Sequence, residues 1–364
     1  MSLKIGIVGL PNVGKSTLFN ALTKSRGAQV ANYPFCTINP NVGIVEVPDP
    51  RIKKLADLVN PEKLVPAVVE FVDIAGLVKG ASVGEGLGNK FLANIRECHA
   101  IAQVIRFFED PDIVHVHGGI NPKLDMDVIH LELIFADLDT VKKRLGEAGK
   151  KAKGNDKDVL AQVGVLTKVK AGLEAEKRVI NLDLTEEERE ILKPLFLLTN
   201  KPFLYIANVK EHQLKGFDSA KVKKEMGLGD HEELLPISAK VEQDLGDFSP
   251  GEAEEYLKEL GLKESGLNAV IKVAYRLLGL QTYFTAGPQE VRAWTVRIGA
   301  KAPEAAGVIH TDFERGFIKA ETISYEDYIA CGGEHVAKEK GKMRMEGKEY
   351  VVKDGDVMHF KFNV

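Results

Sequence analysis

Short apolar runs separated by polar and glycine-rich segments characterise the early part of the chain and return after residue 200. Runs rich in branched aliphatic residues have the length of strands and occupy 3–8, 68–72, 202–207 and 234–237. Between the first two runs, residues 17–22 have the apolar spacing of a helix. Strands interleaved with helices predict an α/β domain.

Residues 125–180 follow a different pattern, in which apolar side chains recur at alternating three- and four-residue steps. The first series has Lys142 in one expected apolar place and comprises Val128, Leu131, Phe135, Leu138 and Leu145. A polar break at 154–156 precedes the second series, Val159, Val163, Leu166, Leu173 and Ile180. Two such series predict an antiparallel helical hairpin with a coiled-coil seam. Thr185 and Glu188 then have capping-box spacing, which predicts the start of another helix.

After about residue 280 the chain becomes rich in β-forming residues and short turns. The predicted strands are 291–298, 307–310, 317–320, 349–352 and 357–362. Their lengths favour a small, partly closed β-domain. Four aromatic residues of this region suit either base stacking or core packing, and we expect core packing for Tyr283, Phe284, Phe313 and Phe317.

Composition excludes several classes of protein. With 49 Lys and Arg against 53 Asp and Glu, the formal charge of −4 rules out a globally basic protein that coats nucleic acid. The cysteines, at 36, 98 and 331, lack metal or redox spacing, which excludes a disulfide framework and favours a reducing compartment. No apolar run approaches the roughly 18 residues that a membrane span needs. We therefore expect a soluble, cytoplasmic protein with no membrane partner.

Residues 9–16 complete the phosphate-binding motif G-x-x-x-x-G-K-[ST] between a predicted strand and a predicted helix. Backbone N–H groups of such a loop surround phosphates at a helix N-terminus, where the helix dipole favours anions. Lys15 is expected to reach the β- and γ-phosphates, and the Ser16 hydroxyl is expected to ligate Mg²⁺. The predicted phosphate contacts are Asn12, Val13, Gly14, Lys15, Ser16 and Thr17.

A second motif, Asp73-x-x-Gly76, follows the strand predicted at 68–72. A carboxylate at the end of a buried strand needs a cation, so Asp73 is predicted to be a Mg²⁺ partner through water. Gly76 would let its N–H approach the γ-phosphate closely. Between the two motifs, Thr37 suits a switch segment that closes on Mg²⁺ and γ-phosphate, although a solvated loop threonine is the alternative.

The strands at 202–207 and 234–237 are followed by base-recognition motifs. GTPases have N-K-x-D and S-A-K at these places, whereas this chain has N-x-x-E and S-A-K, with predicted base contacts at Asn208, Val209, Glu211, Ser238, Ala239 and Lys240. Because glutamate is one methylene longer than aspartate, it cannot make the same bidentate contact with guanine without backbone movement. We therefore expect guanine selectivity to be lost and ATP to bind at least as well as GTP. The alternative for Glu211 is a solvated loop carboxylate.

Together, the P-loop, the switch threonine, D-x-x-G-L, N-x-x-E, S-A-K and the C-terminal segment resemble the YchF / Obg-like ATPase family. The resemblance runs along the whole chain, and its specific features are 32–41, 75–96 and 281–284. It implies a ribosome-associated P-loop NTPase that prefers ATP. It also implies that the C-terminal β-domain is a β-grasp-like TGS module.

The motifs leave two candidates for the group that assists hydrolysis. Leu77 stands where many GTPases place a water-orienting glutamine, so intrinsic hydrolysis is expected to be slow or to rely on another group. Asn12 matches the P-loop asparagine that helps to hold K⁺ in related potassium-activated NTPases, and K⁺ would supply positive charge at the phosphates. A histidine similar to one in the family is the other candidate. The predicted catalytic residues are Lys15, Thr37, Gly76 and His115.

The domains expected from these patterns are a P-loop domain at 1–124 and 197–280, a helical arm inserted at 125–196, and a TGS-like domain at 281–364. From 142 to 178 there are eleven Lys and Arg against five Asp and Glu, a local net charge of +6. The arm is therefore either a solvated helical pair or a basic surface that contacts rRNA or an acidic partner. Twelve basic and thirteen acidic residues at 281–364 predict no RNA binding from bulk charge.

The motifs and the resemblance together indicate a nucleotide-dependent switch that hydrolyses ATP slowly with Mg²⁺, and with K⁺ as a second candidate ion. An alternative is a nucleotide-gated scaffold for ribosome or RNA, in which hydrolysis is incidental. A metabolic kinase is disfavoured because no second substrate motif accompanies the P-loop. The oligomeric state is left open.

Overall fold

The structure, a computed structural model, describes residues 3–26, 41–74, 88–111, 119–151, 156–229 and 232–363. The chain divides into two compact units. Unit 1 comprises the described residues of Met1–Ser25, Asn39–Gly43 and Glu70–Val270. Unit 2 comprises those of Arg26–Ile38, Ile44–Val69 and Ile271–Val364.

All four apolar runs predicted as strands of the α/β domain are strands, whereas three further strands, at 42–46, 63–65 and 100–106, were not predicted. In chain order they are β1 Lys4–Val8, β2 Val42–Glu46, β3 Lys63–Val65, β4 Val68–Asp73, β5 Ala100–Arg106, β6 Phe203–Asn208, β7 Glu233–Ile237, β8 Leu280–Ala286, β9 Glu290–Arg297, β10 Phe317–Ile323, β11 Arg344–Glu346 and β12 Val357–Phe362.

Helices connect most of these strands. They are α1 Lys15–Arg26, α2 Pro50–Val59, α3 Asn89–Glu97, α4 Pro122–Lys151, α5 Lys157–Glu174, α6 Glu186–Leu192, α7 Glu211–Leu214, α8 Ser219–Met226, α9 Ala239–Leu245, α10 Pro250–Glu259, α11 Gly266–Leu277, α12 Ala302–Ile309, α13 Thr311–Arg315, α14 Tyr325–Cys331 and α15 Glu334–Glu339. Single 3₁₀ turns occur at Val179–Asn181, Lys193–Leu195 and Leu198–Asn200.

The first sheet has the strand order β2-β4-β1-β5-β6-β7. Strands β4, β1, β5, β6 and β7 pair in parallel. Every residue of β5 and β6 is buried, so their sequences are mostly apolar rather than alternating, and the polar side chains that they include, Gln103, Arg106 and Asn208, are buried as well. Because the strands are parallel, their carboxyl ends meet at one edge of the sheet, where ligands of open α/β folds bind. The predicted α/β class is therefore confirmed.

Helices α4 and α5 form the predicted hairpin, but only Leu138 and Leu145 of the predicted α4 seam pack against its core. Phe135 is 56% exposed, whereas the residues buried against α5 and its surroundings include Ile134, Val141 and Ala148. The reason is that α4 has two packing partners. Its first half packs on the sheet through Met126, Ile129 and Leu133, and only its second half packs in the hairpin core. On α5, the predicted seam residues Leu166 and Leu173 are buried.

The root of the hairpin is fixed by a buried carboxylate. Asp137, on α4, accepts hydrogen bonds from the backbone N–H groups of Leu198 and Thr199, each at 2.8 Å, and from the Thr199 hydroxyl at 2.7 Å. These bonds cap the 3₁₀ turn that leads into β6. The predicted capping box is also present, since the Thr185 and Glu188 side chains each bond the backbone N–H of the other.

Unit 2 contains a second sheet with the order β11-β10-β12-β8-β9-β3. Its edge strand β3 comes from early in the chain and pairs in parallel with β9, so Lys63 lies opposite Glu290. Residues 44–69 therefore belong to unit 2, although the sequence analysis placed them in the nucleotide-binding domain. The sequence pattern lacks this information because the pairing joins segments more than 200 residues apart.

Two predicted strands of unit 2 are wrong. Residues 307–309 end helix α12, which begins after Lys301 with a proline in its first turn and buries Ala302, Ala305 and Ala306 completely. Residues 349–352 form no strand and make only a single bridge, from Val351 to Lys301. As expected for core packing, Tyr283, Phe284 and Phe317 are buried, and Phe313 stacks on Phe362 with ring centroids 3.8 Å apart.

Among the described residues, no helix combines the length and apolar character that crossing a membrane requires.

Candidate nucleotide-binding site

The P-loop follows β1 and wraps into the N-terminus of α1, as the motif predicts. Its backbone requires unusual conformations: Asn12 and Gly14 have positive φ values of 61° and 98°. A Cβ atom on Gly14 would lie 2.3 Å from Nδ2 of Asn208, so only glycine fits there. Helix α1 starts at Lys15, which leaves its first N–H groups directed toward the loop.

Lys15 is a desolvated cation. It is 8% exposed, and its Nζ donates a hydrogen bond to the Leu10 carbonyl at 2.6 Å. Burial lowers the pKa of Lys15 to about 8, while the charge of Asp73 acts in the opposite direction. An ammonium that has lost its hydration gains strongly from an anionic ligand, because the lysine itself need not be desolvated when the ligand arrives.

Asp73 ends β4 at the same edge of the sheet and is 5% exposed. A buried carboxylate at the carboxyl end of a parallel strand, near a P-loop lysine, fits the donor chemistry that Mg²⁺ requires. The Ser16 side chain is exposed at the start of α1 and supplies a hydroxyl oxygen. The residues present therefore fit a Mg²⁺ ion bound together with phosphates.

Asn208 connects the two predicted motifs physically. Its Nδ2 donates to the carbonyl of Val13 at 2.9 Å, and its Oδ1 accepts from the backbone N–H of Ala239 at 3.1 Å. The side chain is buried at the end of β6. Ser238 caps α9 by accepting a hydrogen bond from the backbone N–H of Val241. One amide thus fixes the position of the P-loop relative to the S-A-K loop.

A cavity of about 640 Å³ opens between these loops. Its walls include most of the predicted nucleotide contacts, namely Asn12, Gly14, Thr17, Asn208, Val209, Glu211, Ser238, Ala239 and Lys240. Its other lining residues were not predicted from the sequence and are Phe108, Asp110, Lys210, His212 and Gln243. The volume lies within the range typical of small-molecule sites.

Phe108 is the most informative of the residues that the sequence analysis missed. The Arg106 guanidinium lies 4.5 Å from the centroid of its ring, and Arg106 Nε donates to the Phe108 carbonyl at 3.0 Å. Arg106 is 2% exposed, and it also donates to the Asp110 carbonyl. The arginine thereby fixes an aromatic face in the cavity wall. Phe108 lies two residues beyond the end of β5, a strand that was not predicted, and the mostly apolar run at 100–105 was the signal that could have identified it.

Comparisons with known proteins agree with this geometry. Residues 4–132 match a family model described as "50S ribosome-binding GTPase", and residues 280–363 match the C-terminal YchF-GTPase model, described as a protein of unknown function. Proteins named "Ribosome-binding ATPase YchF" from Bacillus subtilis and Escherichia coli O157:H7 are 56% and 55% identical, and each alignment covers 100% of both chains. The chain belongs to the YchF family.

Solved structures agree with membership of the YchF family. The Schizosaccharomyces pombe YchF GTPase is 40% identical, has a TM-score of 0.92, and aligns over 99% of this chain and 98% of its own. A GTP-binding protein from Pyrococcus horikoshii has a TM-score of 0.63 at 20% identity, over 99% of this chain and 100% of its own, which concerns the fold alone.

Glu211, the residue that distinguishes this chain from N-K-x-D GTPases, has a neighbour that its motif does not reveal. Burial raises the pKa of the Tyr256 hydroxyl, and Glu211 raises it further by its charge and by accepting a hydrogen bond. Tyr256 lies on α10, 45 positions later in the chain. Glu211 thus lines the cavity and also accepts a hydrogen bond from the Tyr256 hydroxyl.

The remaining predicted site residues of this YchF-family chain, Thr37, Gly76 and His115, lie outside the described residues, as does Leu77. Val13, Lys15 and Ser16 lie in the P-loop beside the cavity, in the places that the motif predicts. The structure therefore brings together the phosphate, base and Asp73 parts of the predicted site.

Proposed function

We propose that this chain is a ribosome-associated P-loop ATPase that uses ATP binding and slow hydrolysis as a conformational switch. The observation that carries the proposal is Asn208, whose side chain joins the P-loop to the S-A-K loop in a motif that ends in Glu211 rather than Asp. The names of full-length relatives, "Ribosome-binding ATPase YchF", support both the activity and the partner.

The phosphates of ATP would bind the backbone N–H groups of residues 12–17, with the Lys15 ammonium at the β- and γ-phosphates. Mg²⁺ would be held by Ser16 and, through water, by Asp73, with Thr37 as a further ligand. Bound Mg²⁺ supplies positive charge that stabilises the transferring phosphoryl group. Asn12 would help to place K⁺ at the same phosphates, and His115 is the alternative candidate for a catalytic group.

The adenine would occupy the cavity between Phe108 and the N-x-x-E and S-A-K loops. Binding of a base by an aromatic face and by backbone groups does not require the hydrogen-bond donor pattern of guanine. A glutamate whose carboxylate accepts a hydrogen bond from Tyr256 is a weaker guanine reader than the aspartate of N-K-x-D. Both features favour ATP over GTP.

Calorimetric titration with non-hydrolysable ATP and GTP analogues, in buffer with Mg²⁺ and K⁺, tests this proposal. We expect the ATP analogue to bind more tightly to the parent protein. The Glu211→Asp variant should narrow the difference, whereas Glu225→Asp, an exposed glutamate on α8, should leave it unchanged. Tighter binding of the GTP analogue by the parent would refute the ATPase assignment.

The ribosome part of the proposal makes the basic hairpin its contact surface. Lys150 and Lys151 are exposed at the end of α4, where the local charge is strongly positive. Reversing both, Lys150→Glu with Lys151→Glu, should weaken co-sedimentation with ribosomes and reduce its dependence on salt. The matched control is Lys221→Glu with Lys224→Glu, which reverses two exposed lysines of α8. Equal binding by both double variants would show that the hairpin is not the contact.

Leu77 favours a second candidate function, a scaffold that is gated by nucleotide binding alone. The Asp73→Asn variant separates the two, because it weakens the Mg²⁺ site that hydrolysis requires. A switch driven by hydrolysis predicts that this variant remains on ribosomes in the presence of ATP, while the parent is released. A scaffold gated by binding predicts that parent and variant are retained equally when both are saturated with ATP.

A further inference from the structure

We propose that the C-terminal unit holds a site for a divalent transition-metal ion of the Zn²⁺ or Co²⁺ type, formed by Glu321, Glu334 and His359. Each of these residues offers one ligand atom, and the three atoms lie within 4.8 Å of one another. The site lies wholly in unit 2, and it does not depend on the proposed ATPase activity.

The fold brings the three donors together from separate segments. Glu321, on β10, and His359, on β12, are directly opposite partners in the antiparallel register, so their side chains share one face of the sheet. Glu334 is the first residue of α15. It follows Gly332 and Gly333, whose φ values of 72° and 130° turn the chain back between α14 and α15.

The electrostatics of the cluster favour a cation. The Glu321 side chain is only 14% exposed, yet its nearest cationic atoms are Lys361 Nζ at 3.4 Å and His359 Nδ1 at 3.8 Å. No hydrogen bond reaches its carboxylate within the part of the chain that the structure describes. A second carboxylate, Glu334, lies close by. Two neighbouring carboxylates repel each other, and the ion pair with Lys361 offsets only one of the two negative charges, so a divalent ion would neutralise both.

The donor set determines the class of metal. One imidazole nitrogen with two carboxylate oxygens suits Zn²⁺ and similar first-row ions, whereas Mg²⁺ and Ca²⁺ favour oxygen ligands alone. Metal–ligand distances of about 2.0–2.2 Å require the donors to approach by roughly 1 Å. Glu334 and His359 are exposed and can do so by changing rotamer.

The cluster also faces a concave surface. All three residues line a cavity of about 650 Å³, together with the aromatic side chains of Trp294 and Phe313. Three protein ligands leave at least one coordination position, which is typical of zinc sites that also bind a further molecule. The open position would face this partly apolar cavity.

The test is a titration of full-length protein with Co²⁺ in excess Mg²⁺, followed by visible absorption and then by displacement with Zn²⁺. We expect a saturable d–d band that Zn²⁺ removes. Glu334→Gln and His359→Gln should each weaken Co²⁺ binding at this site about ten-fold or more, because even residues behind the ligands cost that much in known metal sites. Both residues are exposed, so circular dichroism should show an unchanged fold.

A matched control exists in the same unit. His335 lies 3.8 Å from Glu339, the same separation as His359 from Glu321, but the described part of the chain places no third donor beside this pair. The His335→Gln variant should therefore keep the full band. The proposal is overturned if the parent protein gives no saturable band, or if the band of His335→Gln falls as much as those of the two cluster variants.

Discussion

A buried ion pair in unit 1 allows a quantitative test of how the structure is held together. Arg178, which follows the hairpin, donates to Glu232 at 2.5 Å and to the Tyr205 hydroxyl at 2.8 Å. The Tyr205 hydroxyl also donates to Glu232 at 2.8 Å, and Nε2 of His130 lies 3.1 Å from the same hydroxyl oxygen. Burial alone would raise the pKa of Glu232, but the bonds from Arg178 and from the Gly229 N–H outweigh it and lower that pKa.

The magnitude follows from burial. The side chains of Arg178 and Glu232 are 9% and 7% exposed, so removing one leaves the other as an uncompensated buried charge. Arg178→Met should lower the free energy of unfolding by about 3–5 kcal/mol. Adding Glu232→Gln removes the orphaned charge while keeping an acceptor for the Gly229 N–H. The loss of unfolding free energy in the double variant should therefore be about 1–3 kcal/mol smaller than the summed losses of the two single variants.

Urea unfolding followed by far-ultraviolet circular dichroism measures these changes, and hydrogen exchange of β6 assigns them to unit 1. Tryptophan fluorescence is unsuitable because the single tryptophan, Trp294, lies in unit 2. The control is Lys168→Met, which removes an exposed pair with Glu188 and should cost less than about 1 kcal/mol. If Arg178→Met costs no more than this control, the reasoning about the buried pair is refuted.

Three further outcomes follow from the same unit. Burial lowers the pKa of His130 to about 3, whereas this histidine in the unfolded chain binds a proton near pH 6.5. Its contribution to the free energy of unfolding is therefore fully present above pH 6.5 and is lost progressively as the pH falls toward 3. The loss should be about 1.4 kcal/mol from pH 7.5 to 5.5 in urea titrations, and His130→Gln should remove that difference. Gly14→Ala should weaken ATP binding at least ten-fold in calorimetry, because the new Cβ meets Asn208 and the positive φ adds about 1–3 kcal/mol of strain. Asn208→Ala should lower unfolding free energy by about 1–3 kcal/mol in urea and weaken ATP binding, since it leaves Val13 O and Ala239 N without their partner; unchanged affinity would contradict that role.

The nucleotide-binding half could be predicted from the sequence because its signals are local. Strands of a parallel sheet are rich in apolar residues, and such a sheet places the residues after these runs at one edge. Asp73, Asn208 and Ser238 each follow a run of this kind. Their approximate convergence was therefore predictable, although the bonds of Asn208 to Val13 and Ala239 were not.

The errors arise where packing partners are distant in sequence. The stripe on α4 was assigned to one partner, but this helix buries one face against the sheet and another against α5, so Phe135 faces solvent. Residues 307–309 contain the β-branched residues of a strand, yet three buried alanines and a proline start make the segment a helix. Strand β3 joins a sheet whose other strands come after residue 280, which no local pattern can indicate.

Glu211 shows how far a motif determines chemistry. The spacing from Asn208 predicts that Glu211 lies at the cavity, and Glu211 is one of the lining residues. The orientation of this carboxylate, however, depends on Tyr256, which lies on α10 and is not part of the motif. A carboxylate that already accepts a hydrogen bond gains less from binding the guanine edge. The longer side chain of Glu211 and its neighbour Tyr256 therefore both weaken guanine recognition. Tyr256→Phe should therefore free Glu211 and raise affinity for the GTP analogue relative to the ATP analogue in calorimetry. An unchanged ratio would mean that the length of the side chain alone decides base preference.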